Sequence, residues 1–274
     1  MRNGTSARFG RAGIAAVQRT RVIALNTFRE AVRDRVLYNL LLFVFLLFGT
    51  AILFGQISVG VQKLILVNLG LAAMTFLGLA IAIFIGVGLV YKETDKRTLY
   101  TLLSKPVSRA QFILGKFLGL GLTLAVNTAL MSFGFFAALY YVRGNFESVD
   151  KYLWVAIYFV FMQLLLTTAW ALFFSCFSSP ILSAVFTAGL FLAGSFSQDL
   201  RELAAVVQVG WVKGALSGLY YALPNFRNFN VTSAVAHGQV IPLAAVGLNT
   251  LYGLVYIGVV VAASVLIFQN RNLK

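Results

Sequence analysis

The sequence predicts an all-α integral membrane protein. Six transmembrane helices are expected, with an interfacial elbow helix before them, a short cytoplasmic helix between helices 2 and 3, and an outer interfacial or re-entrant helix before helix 6. Hydrophobic residues make up 60% of the 274 positions, and charged residues only 11%. A soluble domain of this composition would leave a large apolar surface in water. Six apolar runs approach or exceed the about 17 to 25 residues that cross a bilayer, and they are residues 36–54, 64–90, 117–142, 152–177, 180–196 and 241–268.

The distribution of basic residues predicts the orientation. Segments 1–35, 91–116, 178–179 and 269–274 together hold 16 of the 22 Lys and Arg residues. Because cytoplasmic loops carry an excess of Lys and Arg, both termini are expected in the cytoplasm. The net charge of +14 then reflects topology and attraction to anionic lipids, and nucleic-acid binding is not expected. No cleavable signal peptide is expected either, since a polar, Arg-rich stretch precedes the first run.

The N-terminal segment 1–35 is interpreted as a basic tail followed by an elbow helix, and residues 36–274 as the membrane domain. Residues 1–12 are basic and contain glycine, so disorder is expected there. Thr27 and Glu30 form a T-x-x-E pattern, which predicts a capping box that opens a helix at this point. That helix runs into the first apolar run and is expected to lie in the membrane interface. A plain basic anchor is the alternative.

The segment 92–116 between the second and third runs is polar and basic. Leu99, Leu102 and Leu103 fall at spacings of three and four, which places them on one face of a short helix. Pro106 ends that helix, because its ring is incompatible with the preceding turn. An ordinary loop whose leucines lie among lipid headgroups is the alternative interpretation.

The start of the third helix is specified locally. Ser108 and Gln111 form an S-x-x-Q capping box, while Val107 and Phe112 occupy the two positions of a hydrophobic staple. Together these patterns fix the angle at which the third transmembrane helix begins.

These loop residues resemble a known signature. The residues that carry the resemblance are Glu93, Thr98, Leu99, Leu102, Leu103, Ser104, Lys105, Pro106, Val107, Ser108, Arg109, Gly115 and Lys116. They are similar to the motif after the second helix of ABC-2 type transporter permeases, and the closest branch looks like the permeases of multicopper-enzyme maturation, gliding and general export systems. The elbow, the six runs and the basic tail extend the resemblance over essentially the whole chain.

The resemblance implies partners and site residues. In such permeases the loop is a coupling helix that docks on a separate cytoplasmic ATPase, which binds ATP and Mg, and two permease copies pair as a homodimer or a related heterodimer. The residues that would couple to the ATPase are Glu93, Thr98, Leu99, Leu102, Leu103, Pro106, Ser108 and Arg109.

The apolar runs themselves contain no Asp, Glu, Lys, Arg or His. Proton- and ion-driven carriers normally keep such groups inside the membrane, so energy is expected to come from outside this chain. Na⁺ bound by backbone carbonyls remains an alternative. The chain is not expected to be an enzyme: Gly115-Lys116 is followed by Phe117, where a P-loop needs Ser or Thr. His237 is interpreted as a loop residue, the lone Cys176 excludes an intramolecular disulfide, and no metal site or cofactor is expected in this chain.

Two further groups of residues are candidates for a transport role. Uncharged polar residues at membrane depth would line a translocation path, or else only bond between helices; they are Asn68, Thr75, Asn127, Gln163, Thr167 and Asn249. The outer segment 197–240 carries an apolar stripe at helical spacing, predicted as one helix ended by Pro224. Within it, Leu203, Val207 and Trp211 are expected to close an outer gate.

The sequence therefore predicts a permease subunit that exports an unidentified substrate by alternating access, powered by a separate ATPase. A membrane subunit that transmits force to an extracytoplasmic partner without moving cargo is one alternative. A gradient-driven carrier or channel is the other.

Overall fold

A computed structural model describes residues 3–32, 37–57, 62–95, 108–145, 150–207 and 209–270. These residues form helices and contain no strand. The helices are α1 (Asn3–Ala31), α2 (Leu37–Ile57), α3 (Gln62–Asp95), α4 (Arg109–Arg143), α5 (Lys151–Ser175), α6 (Pro180–Ser195), α7 (Ser197–Val206), α8 (Gly210–Ala222), a 3₁₀ turn (Phe226–Phe229), α9 (Thr232–Ala236) and α10 (Leu243–Asn270). The prediction of an all-α protein is confirmed.

Four described helices are long and apolar enough to cross a membrane, within α3, α4, α5 and α10. Helices α6 and α7 pass the same test only as a pair, and they are bent by 51° at the break between them. The apolar stretch of α2, Asn39–Thr50, is shorter. The described residues therefore give four spans, or five if the bent pair is one span, and the predicted count of six is not reached on length and composition alone.

Helix α1 differs from its prediction. It begins at Asn3, so the disorder expected for residues 1–12 is wrong for residues 3–12, and the expected helix start at Thr27 is wrong as well. Thr27 is only 1% exposed and lies inside the helix, where it contacts Gly119 of α4. A T-x-x-E pattern fits a helix interior as well as a helix start, and here the packing against α4 decides between the two.

The core is built where α3, α4 and α5 pack together. Helix α5 contributes the most buried face, from Leu153 to Ser175. Gly78 of α3 lies directly against Leu164 of α5, and Gly70 lies against the ring of Phe135 on α4. Glycine at these two positions lets the helices approach more closely than larger side chains would permit.

The outer segment is two helices and not one. α7 and α8 pack on each other as a hairpin, with the break between Val206 and Gly210. Val207 and Val209 have extended backbone at this break, so the predicted continuous stripe through Val207 to Trp211 is interrupted. Apolar residues continue across the break at a spacing of four, from Leu203 through Val207 to Trp211, which is why the pattern alone suggested one helix.

Candidate coupling site

Ser108 begins the helix that follows the signature loop. Its Oγ accepts a hydrogen bond from the backbone N of Gln111 at 3.2 Å, and its own backbone N donates to Gln111 Oε1 at 3.1 Å. The predicted capping box is confirmed. It satisfies two of the backbone N–H groups that a helix start leaves without partners, so the direction of α4 is fixed at the residue where the loop ends.

Arg109 connects this helix start to the far end of the chain. Its Nη1 donates to the carbonyl oxygens of Phe268 at 2.9 Å and Gln269 at 2.8 Å. Both carbonyls lie in the last turn of α10, where no intrahelical N–H is available to them. A cation at a helix C-terminus is favoured by the helix dipole as well as by the hydrogen bonds. Arg109 therefore binds the start of α4 to the end of the last helix.

An aromatic contact supports the same connection one turn further along. The rings of Phe112 and Phe268 stack with centroids 5.7 Å apart and planes at 18°, and both side chains are buried. Offset stacking of this kind adds about 0.5 to 1.5 kcal/mol beyond area burial. Arg109, Phe112 and Phe268 together form what we call the α4–α10 joint.

Lys116 is a buried cation close to the joint. It is 3% exposed, and its Nζ lies 5.6 Å from the centroid of the Phe112 ring. The third apolar run was predicted to begin at residue 117, just after Lys116. The candidate membrane span in α4 begins earlier, at Arg109, and therefore includes Lys116. A charged side chain at this position is costly unless it is well accommodated, and the Phe112 ring supplies one favourable contact.

Helix α1 packs tightly on the same part of α4. A Cβ on Gly119 would lie 2.6 Å from the carbonyl oxygen of Ala24, and a Cβ on Gly115 would lie 2.7 Å from Ile23. Glycines at these two positions, one helical turn apart, let α1 lie across α4. The N-terminal helix and the end of α10 therefore both pack on the first turns of α4.

Several predicted coupling residues lie outside the described residues. They are Thr98, Leu99, Leu102, Leu103 and Pro106. Val107 of the predicted staple also lies outside the described residues. Glu93 is within α3, but its side chain is outside the description. Of the predicted set, the structure brings Ser108 and Arg109 to the joint.

The polar residues at membrane depth form few connections between helices. Asn68, Thr75 and Thr167 each donate to the carbonyl four residues earlier in the same helix. Asn127 is buried with Oδ1 unpartnered, and its Nδ2 lies 3.6 Å from Met131 Sδ. Gln163 is also buried.

Asn249 is the member of this set that reaches another element. Its Nδ2 donates to the carbonyl oxygen of Asn228 at 2.8 Å. Tyr252, one turn further along α10, accepts a hydrogen bond at its hydroxyl from Asn225 N at 2.9 Å. The last helix is thus bound to the outer segment at one end and to Arg109 at the other.

The predicted outer gate residues lie in the α7–α8 hairpin. Trp211 is 79% exposed, Leu203 is exposed, and Val207 is half-buried. An ion pair between Arg227 and Asp199 at 2.8 Å fastens the hairpin to the 3₁₀ turn. The side chains of Leu203 and Trp211 therefore face outward from the described part of the chain.

Comparison with known protein families decides the identity. The family of ABC-2 family transporter proteins matches residues 21–273, which is nearly the whole chain. The chain belongs to this ABC-2 family. A comparison with curated proteins gives no significant match.

Family membership confirms the resemblance seen in the loop. An ABC-2 member is a membrane permease of an ABC transporter, a subunit that is generally not itself catalytic and that implies an ABC ATPase partner. The apolar helices agree with an integral membrane protein. Among the described residues there is no group of three His, Cys, Asp or Glu side chains that could hold a metal ion.

The sequence analysis did not identify the residues of α10 that Arg109 and Phe112 contact. Phe268 and Gln269 bind through a ring and backbone carbonyls, which carry no sequence signal, and they lie about 160 positions from Arg109. Lys116 could have been singled out as a basic residue that directly adjoins an apolar run.

Proposed function

We propose that this ABC-2 permease couples ATP hydrolysis to transport through the α4–α10 joint. The observation that carries the proposal is the pair of hydrogen bonds from Arg109 to the carbonyl oxygens of Phe268 and Gln269. A displacement of loop 92–116 moves Ser108 and Arg109, and Arg109 passes it to the end of α10. Because Asn249 and Tyr252 bind α10 to the outer segment, the displacement reaches the opposite side of the membrane.

The complete assembly in this proposal has two permease copies and two ATPase subunits. Each copy spans the inner membrane six times, with α2 and α6 as the first and fifth spans and with both termini in the cytoplasm. ATP and Mg bind the partner ATPase, whose surface receives Leu99, Leu102 and Leu103. The substrate leaves by alternating access along Asn68, Thr75, Asn127, Gln163, Thr167 and Asn249, past Leu203, Val207 and Trp211.

The first test separates docking from transmission. Leu99→Asp with Leu102→Asp removes two apolar anchors of a helix-in-groove contact, so binding of the ATPase should weaken by about 2 kcal/mol or more. The measurement is co-purification of the cognate ATPase together with stimulation of its ATP hydrolysis. Wild-type yield and wild-type stimulation would show that the loop does not dock.

Arg109→Ala should behave differently. The ATPase should still co-purify, while the ATP-dependent movement of α10 is lost, because the two bonds to its last turn are gone. The measurement is the distance between spin labels at Leu243, on the outer end of α10, and at Trp154 on α5, with and without ATP. Arg201→Ala is the matched control, since Arg201 lies over the Tyr220 ring in the outer hairpin. A full ATP-dependent movement in Arg109→Ala would refute transmission through the joint.

The second candidate function is force transmission to an extracytoplasmic partner. It is favoured by the exposed apolar side chains of the outer hairpin and by the bonds that fasten this segment to α10. Both functions predict ATP-dependent movement of α10. Flux of co-purifying small molecules or lipids into sealed vesicles on addition of ATP supports transport, and movement without flux supports force transmission.

A further inference from the structure

The α7–α8 hairpin contains a cavity that is lined mainly by polar side chains. Its volume is about 250 Å³, well above the roughly 30 Å³ of one water molecule and just below the about 300 to 1,000 Å³ of sites that hold a whole drug-sized ligand. A cavity of this size suits one polar group of a ligand. Helix α7 lines it with Arg201, Ala204 and Ala205, and helix α8 lines it with Lys213, Ser217 and Tyr220.

The spacing of these residues explains why they share the cavity. On α7 the two alanines follow the arginine by three and four positions, and on α8 the residues are spaced by four and three. Each set therefore lies on one face of its helix. Because Ala204 and Ala205 have small side chains, space remains between the two faces. The hairpin thus holds one cationic side chain from each helix around the same cavity.

The positive charge of the cavity is not balanced by the described part of the chain. Arg201 and Lys213 line it, and no described acidic side chain does. Asp199 is bonded to Arg227 at 2.8 Å. Glu202 directly follows Arg201 on α7, and adjacent positions of a helix do not face the same way. An anion from outside the described residues would therefore complete the site.

The two cations are held where an anion gains from both. The guanidinium Cζ of Arg201 lies 5.6 Å from the centroid of the Tyr220 ring, a contact that restrains the side chain. Lys213 lies in the first turn of α8, which contains no acidic residue. The helix dipole is already positive at this end, so a lysine here is unfavourable for the helix alone. A bound anion would offset both the lysine charge and the dipole.

We propose that this cavity binds a phosphate monoester. The phosphate lies between the Arg201 guanidinium and the Lys213 ammonium, which are both good donors to phosphate oxygens. The hydroxyl groups of Ser217 and Tyr220 supply further donors. A monoester carries about 1.5 to 2 negative charges at pH 7, which matches two cations, whereas a phosphodiester carries one. This proposal requires only the described hairpin and does not depend on transport.

The same phosphate ester occurs in lipids and in soluble compounds. Val206 directly follows the cavity residue Ala205, and Trp211 lies two positions before Lys213; the side chains of Val206 and Trp211 are exposed. Apolar side chains beside a phosphate site favour a lipid, because its phosphate and acyl chains meet at the membrane surface, where Trp is enriched. The experiment compares phosphatidic acid with glycerol phosphate, which carries the same ester without acyl chains.

Binding is measured by native mass spectrometry of the whole chain purified in detergent. Phosphatidic acid should bind with an apparent affinity about fivefold higher than phosphatidylglycerol of the same acyl chains, the ratio that one additional exposed ion pair supplies. Phosphatidic acid that stays bound in equimolar glycerol phosphate supports a lipid as the source of the phosphate. Displacement by equimolar glycerol phosphate supports a soluble phosphate ester.

Four variants locate the binding site. Arg201→Gln and Lys213→Gln should each remove the preference for phosphatidic acid. Ala205→Leu should also remove it, because the larger side chain fills the cavity while both cations remain. Lys151→Gln is the matched control, since it removes an exposed cation of α5 that lies outside this cavity, and it should retain the preference. All four positions are exposed, so the variants should unfold at the wild-type temperature.

Three results would overturn the proposal. Equal binding of phosphatidic acid and phosphatidylglycerol means that the hairpin does not recognise a monoester. A preference that persists when Arg201→Gln and Lys213→Gln are combined places the phosphate elsewhere. A preference that is lost in those two variants and kept in Ala205→Leu means that the cations act separately at the surface and that the cavity is not the site.

Discussion

Gly119 lies at a close contact between the N-terminal helix and α4. An added Cβ would lie 2.6 Å from Ala24 O and 2.6 Å from Thr27 Cβ, which is closer than atoms of packed side chains approach. The backbone of α1 cannot move away without also losing the contact at Gly115. Contacts of this kind depend on the absence of a side chain and on the fit of two helices.

Gly119→Ala should therefore destabilise the protein. The overpacked methyl group should cost about 1 to 3 kcal/mol, whereas Gly247→Ala should be neutral or slightly stabilising, since that helical glycine of α10 has open space around it. The measurement is the unfolding temperature of both purified variants in detergent. A Tm for Gly119→Ala equal to that of Gly247→Ala would mean that α1 does not pack on α4 as described.

Local patterns at single residues were predictable, and distant partners were not. The Ser108–Gln111 capping box was predicted and confirmed because it involves four consecutive positions. The Thr27–Glu30 pattern was wrong as a helix start, since the choice between helix start and helix interior depends on contact with Gly119, far along the chain. The bonds from Arg109 to Phe268 and Gln269 use backbone carbonyls that every residue has, so no sequence pattern marks them.

At the scale of elements, the outer hairpin is distinguished by its apolar surface. Leu203 and Trp211 remain exposed even though Asp199 and Arg227 hold the hairpin against the 3₁₀ turn. Exposed apolar groups of this size gain about 1.5 to 3 kcal/mol each when fully buried. A second copy or the lipid surface would supply that burial.

Leu203→Asp with Val207→Asp should therefore impair ATP-driven transport about tenfold or more, because a gate that loses at least 1.4 kcal/mol of closing energy no longer seals. Membrane insertion should be unaffected, since neither residue belongs to the four long spans. The measurement is flux into vesicles at matched protein content, with Gln198→Asp on the exposed face of α7 as the control. Unchanged flux would reduce the hairpin to a linker between α6 and α10.

The bend between α6 and α7 lies at the predicted boundary between the fifth apolar run and the outer segment. The predicted fifth run ends at residue 196, and the amphipathic stripe follows it directly. Helix α6 has only 16 residues, and Gly194 lies against the carbonyl of Pro224 and the ring of Phe226. The outer segment therefore folds back onto α6 next to the 51° bend. The position of the bend was predictable from the sequence, whereas this contact with a distant part of the chain was not.

At the scale of the whole molecule, the described helices form a bundle in which both ends of α10 are hydrogen-bonded to other elements. The core of α3, α4 and α5 holds the centre, and α10 lies beside it with one end bonded to Arg109 and the other to the outer segment. The predicted orientation of this bundle in the membrane rests on charge, since 16 of the 22 basic residues lie in the segments expected in the cytoplasm.

The orientation predicts which sites an impermeant thiol reagent can reach. Cys introduced at Ser104 should stay unlabelled in intact cells and become labelled after permeabilisation, whereas Cys at Glu147 or Lys213 should be labelled in intact cells. The native Cys176 is buried, so the reagent should not label it, and the protein without an introduced Cys gives the background. Inverting the chain would place most of the basic residues on the outer side, against the charge bias that governs insertion. Labelling at position 104 in intact cells would therefore contradict the topology, and with it any docking of the loop on a cytoplasmic ATPase.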